Sequence, residues 1–123
     1  LPESLPQTTD LTVYHGRTDL IRKTAAQIEK DFGMFGEKVV FSGREQTAYA
    51  ELKEQIIAIV SGLYQSNEAR LWNILYHIDV SEARVAEVIH LFEEKEDVYE
   101  RLSHLIIERE LKKVVIKDFY SSQ

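Results

Sequence analysis

The sequence predicts an all-α fold, a compact bundle of about five helices. Three observations carry this. Apolar residues recur at spacings of three and four over most of the chain, as on one face of a helix. The connections between the middle segments are only two or three residues long, which makes their helices antiparallel neighbours. Two prolines and five glycines in 123 residues leave few interruptions. That length makes one domain, assigned to 18–123 behind an irregular arm at 1–17.

The arm holds Pro2 and Pro6 and the polar run Gln7 to Asp10. Leu11, Val13 and Tyr14 suit a short extended piece docked on the body. The first helix opens at Thr18 or Asp19, both able to cap. Leu20, Ile21, Ala25, Ile28 and Phe32 follow at helical spacing, and Gly33 is placed to end the helix in a left-handed conformation. Residues 33–43 form a break in which Lys38 to Phe41 is β-branched and aromatic enough to be extended. The second helix runs from about Arg44 to Tyr64 on a heptad seam of Tyr49, Leu52, Ile56, Ile59 and Leu63.

Ser66 and Asn67 supply a turn and a cap for the third helix, 68–78. Leu71, Ile74, Leu75 and Ile78 occupy one face, and Trp72 and Tyr76 an adjoining one. A helix apolar on most sides is packed on most sides, so this is the expected centre of the bundle. Asp79-Val80-Ser81 makes a tight turn, with Ser81 capping a fourth helix at about 82–94. The fifth begins near Asp97, with Val98, Tyr99, Leu102, Leu105 and Ile106 inward. Glu108-Arg109-Glu110 interrupts its apolar surface. Beyond it, residues 113–120 either continue the helix or run extended, so that 113–118 pairs with 38–41 as a minor two-stranded element. The helical alternative is preferred.

Composition narrows the function classes. Fifteen basic and 21 acidic residues give a net charge of −6, which opposes nucleic-acid or anionic-membrane binding. Without cysteine there is no disulfide, thiolate metal site or cysteine nucleophile, and a cytoplasmic address fits. No apolar run approaches the length of a membrane span.

Several local patterns suggest chemistry. The helix–turn–helix outline at 68–92 is that of a DNA reader, but its second helix presents Glu82, Ala83, Arg84, Glu87 and Glu94, which would repel phosphate. Glu87 and His90 have the Glu-x-x-His spacing that aims two ligands at one ion. With Glu100 and His104 on the next helix they form a candidate divalent-metal site, and no other cofactor is predicted. Arg70, Asn73 and His77 make a polar stripe that either lines a pocket, with His77 as base, or is where the helix meets solvent or caps a neighbour's end. Gly33-Met34-Phe35-Gly36 has the outline of a backbone-clamping loop, and Asp31-Phe32-Gly33 that of a metal-binding triplet. A helix stop followed by a turn accounts for the first, and without a Gly-rich loop, a catalytic loop or the necessary length the second is coincidence.

The expected function is a non-enzymatic interaction domain that binds a protein partner or its own copy. Ile57 and Val114 to Phe119 are the apolar residues hardest to place inside, and the expected interface is Ile57, Tyr64, Val115, Ile116 and Phe119. The alternative is a bundle built around the Glu/His metal or small-ligand site.

Overall fold

A single 27-residue helix forms the axis of the molecule, and the other four helices pack against it. The computed structural model describes residues 17–121. In chain order the helices are α1 (Thr18–Gly33), α2 (Ala48–Ser66, entered by a 3-10 turn at Glu45–Thr47), α3 (Glu68–Ile78), α4 (Glu82–Leu91) and α5 (Lys95–Ser121). The fold is all-α, and there is no strand among the described residues. The extended piece expected at Leu11 to Tyr14 lies outside those residues.

The axis is α5 and not, as the sequence suggested, α3. At 1.5 Å per residue α5 is about 40 Å long. Its buried residues do not keep to one stripe: Val98, Leu102 and Leu105 near its start face a different way from Leu111, Val114 and Val115 near its end. Successive stretches meet different neighbours. Toward the N-terminus Glu100 and His104 meet Lys53 and Tyr49 of α2. Further along, Lys113 and Asp118 meet Asp31 and Lys23 of α1. The apolar positions after Glu110 therefore rotate because their cover changes from α2 to α1, and the helix does not break. By contrast α3 buries only Leu71, Ile74, Leu75 and Ile78, and Trp72 and Tyr76 face outward.

The expected strand pair is absent for a local reason. Residues 113–118 are helical, and 38–41 is bound by side chains instead of a second strand. Gln55 of α2 accepts from the Val40 N–H at 2.9 Å and donates to its carbonyl at 2.7 Å. Glu29 and Glu51 accept from the N–H groups of Phe41 and Ser42. Val40 and Phe41 thus find hydrogen-bond partners without a sheet, while Val39 packs into the core.

Two helix starts follow the sequence. Asn67 Oδ1 accepts from the Arg70 N–H at 3.2 Å and Ser81 Oγ from the Arg84 N–H at 3.3 Å, each satisfying an amide that the first helical turn leaves free. The start of α1 differs. Arg17 precedes the helix, Thr18 and Asp19 are already inside it, and no side chain caps it. Its end differs too. Gly33 remains helical, and the left-handed residue is Gly36, at φ +77°. The Glu37 N–H donates to the Phe32 carbonyl and the Gly36 N–H to that of Gly33, both at 3.0 Å, a Schellman closure. Asp79, at φ +70°, closes α3 in the same way through the bonds Val80 to Leu75 and Asp79 to Tyr76.

Candidate functional site

The most unusual chemistry lies where α1, α3 and α5 meet. Asp31 and Glu110 are both buried, Glu110 with none of its surface exposed. Burying a carboxylate is costly unless it is paired and hydrogen-bonded. Asp31 has such company. Gln27 Nε2 donates to its two oxygens at 3.1 Å each, Lys113 Nζ lies 3.3 Å from Oδ2, and His77 Nε2 lies 3.2 Å from Oδ1. Glu110 has less. Lys113 Nζ is 2.6 Å from its Oε1, yet neither oxygen receives a well-directed hydrogen bond.

These surroundings push the two acids apart. Burial, reinforced by the adjacent Asp31 carboxyl, raises Glu110 to about 8, with Lys113 opposing. Burial raises Asp31 as well, but hydrogen bonding to Glu110, Gln27 and Lys113 outweighs it and holds the Asp31 carboxyl below the ordinary range. Two adjacent carboxyls separate in this way because both cannot ionise cheaply.

The cluster links to the surface through α3. The His77 side chain is 34 % exposed, and its ring meets Phe35 edge-on at 5.7 Å. Two turns away along α3, Arg70 donates to the Phe35 carbonyl, lies 3.6 Å from Glu37, and approaches Gly36 closely. The polar stripe of α3 thus combines two tasks. Arg70 caps the end of α1, as the structural alternative held, and His77 joins the buried acids. None of the four principal clefts is lined by Asp31, His77 or Glu110.

Sequence reasoning did not assemble this cluster. Glu110 carried one signal: Ile106, Ile107, Leu111 and Val114 stand four and three before it and one and four after it. An acid so placed lies within an apolar face. Asp31 and Lys113 carried no comparable signal, because their contacts with Glu110 depend on α1 packing against α5.

The four metal candidates are not brought together. Glu87 and His104 line one cleft of about 290 Å³ between α4 and α5, but Arg84 and Arg101 line it too, and two guanidiniums work against a bound cation. Glu100 turns away to pair with Lys53. His104 is engaged by the Tyr49 hydroxyl at 2.7 Å and by Glu108 at 3.5 Å. His90 is exposed at the end of α4. Among the described residues no group of three or more His, Asp or Glu side chains is placed to hold a metal ion.

The expected interface residues also separate. Val115 is only 7 % exposed and belongs to the core. Ile57 and Tyr64 are half-buried against that core, with Tyr64 meeting Tyr99 edge-on at 5.5 Å and lying under Lys95. Ile57 also borders a shallow cleft with Ser61, Gln65 and Tyr99. Ile116 and Phe119 are half-buried near the end of α5.

Of the large exposed apolar side chains, Tyr120 lies beside Phe119 at the end of α5, Met34 and Val40 follow α1, and the others belong to α3 and α4. Trp72 and Tyr76 stand one turn apart on the outer face of α3, 36 % and 77 % exposed, and Leu91 projects from the end of α4. No helix among the described residues is long and apolar enough to cross a membrane. No family model matches the chain, and no curated protein or solved structure is significantly similar to it.

Proposed function

We propose that the chain is a non-enzymatic helical interaction domain, using the outer face of α3 to bind a protein partner or a second copy of itself. One observation supports this above the rest: Trp72 and Tyr76 project outward together from a helix whose opposite face is fixed in the core. Aromatic side chains of this kind offer large contact area at small entropic cost, and they dominate the energetics of many interfaces. The exposed acids of α4, Glu82 and Glu87, favour a protein partner over nucleic acid.

The test compares the wild type with the double variant Trp72→Ala/Tyr76→Ser. Each is run in sedimentation velocity over a wide concentration range and used as bait in a native lysate. The wild type should self-associate or retain a specific protein, and the double variant should do neither. Emission from Trp72, the single tryptophan of the chain, should shift to the blue as the complex forms. A wild type that stays monomeric and captures nothing sinks the proposal, as does a double variant that keeps the same partner.

A further inference from the structure

The buried acids take no part in that surface, and their geometry constrains where a proton must sit. With both ionised, the site would hold two negative charges against the one ammonium of Lys113. An ionised carboxylate is only an acceptor, and Glu110 would remain buried with both oxygens poorly served. A protonated Glu110 relieves both problems. Lys113 Nζ lies against both carboxyls, 3.3 Å from Asp31 Oδ2 and 2.6 Å from Glu110 Oε1, so a protonated Glu110 would have Asp31 beside it as an acceptor, while Asp31 continues to accept from Gln27, Lys113 and His77.

We propose that Asp31 and Glu110 form a proton-operated latch. One proton held between them fastens α1 to α5, with α3 tied in through His77, and its loss on the alkaline side of neutrality loosens this corner of the bundle.

The groups facing the pair come from three helices: Asp31 with neutral Gln27 from α1, His77 from α3, and Lys113 from α5 itself. Three other charged groups of α5 are engaged elsewhere. Glu108 pairs with Arg84 of α4, Arg109 with Asp79 after α3, and Glu100 with Lys53 of α2. The sign follows from the displaced acid. Glu110 moves from 4.5 to about 8 on folding. Folding therefore takes up a proton between those values, and the stability Glu110 contributes is fully present below about 4.5 and is lost as pH rises through about 8.

The experiment is denaturant unfolding of wild type and Glu110→Gln at pH 6 and pH 8. It is paired with hydrogen exchange of the wild type at pH 6 and pH 9, corrected for intrinsic rates. The wild-type folding constant should fall by roughly ten- to fifty-fold between pH 6 and 8, beyond any change in the variant. Exchange protection should fall first in the last turns of α1 and in α3, and last in α2. Parallel pH profiles for the two proteins overturn the latch, as does protection lost evenly across all helices. Should Glu110→Gln fail to fold, Asp31→Asn replaces it. Removing the neighbouring negative charge should move the wild-type drop to lower pH, and an unmoved drop counts against the pair.

Discussion

Alanine at Gly36 should destabilise the protein, while alanine at Gly33, three residues earlier, should stabilise it. Gly36 sits at φ +77°, where a residue with a Cβ costs about 1–2 kcal/mol more than glycine. The added Cβ would also lie 3.1 Å from Arg70 Nη2, so the guanidinium must yield by a few tenths of an ångström. That weakens its bond to the Phe35 carbonyl, and a loss of about 1 kcal/mol is reasonable for a hydrogen bond of this kind. The total is about 2–3 kcal/mol. Gly33 has helical geometry and nothing within 4 Å of an added Cβ, so alanine there should gain about 0.5–1 kcal/mol. Denaturant unfolding followed by circular dichroism reads both changes. In an Arg70→Ala background the cost of Gly36→Ala should shrink to its backbone part, and the difference is the coupling between the two residues. A neutral or stabilising Gly36→Ala, or a Gly33→Ala that costs as much, would refute the placement of the left-handed cap at Gly36.

Ile106→Ala, at a fully buried position on α5, should cost about 2–5 kcal/mol, while Tyr76→Ser on the exposed face should stay within about 0.5 kcal/mol; unfolding midpoints measure both. Asn67→Ala and Ser81→Ala each remove a helix cap and should cost about 0.5–2 kcal/mol, read as a lower Tm. Asp31 is held below its usual value of 3.8, so its ionised form adds stability above that value and loses it as pH falls through the folded one. Acid titration should therefore show a steeper loss for wild type than for Asp31→Asn below that pH.

The legible parts of the fold were those set by neighbours in sequence. The caps at Asn67 and Ser81 need only a side chain and an amide three residues on. Helix periodicity showed which positions face inward along α2 and α3. Periodicity does not show how many neighbours a helix has, and that is where α3 and α5 exchanged roles. Trp72 and Tyr76 made α3 look apolar all round, but both face outward. The shifting apolar positions of α5 looked like an interruption, but they record successive contacts with α2 and α1. Gly33 has the sequence position of a cap, yet the chain continues helical until Gly36 because Arg70, 34 residues after Gly36, helps hold the turn that follows. Segment 38–41 has the composition of a strand and lacks a partner strand, so Gln55, Glu29 and Glu51 supply its hydrogen bonds. The candidate metal residues shared sequence spacing, but Glu100 and His104 found nearer partners on α2.

The account turns on a carboxyl buried near the middle of α5. Its most direct test is a carbon-13 NMR titration of the side-chain carboxyls in the native protein between pH 4 and 9. The δ-carbon of Glu110, assigned by its loss in Glu110→Gln, should titrate with a midpoint near 8. A Glu110 midpoint at the reference glutamate value of about 4.3 would contradict the account.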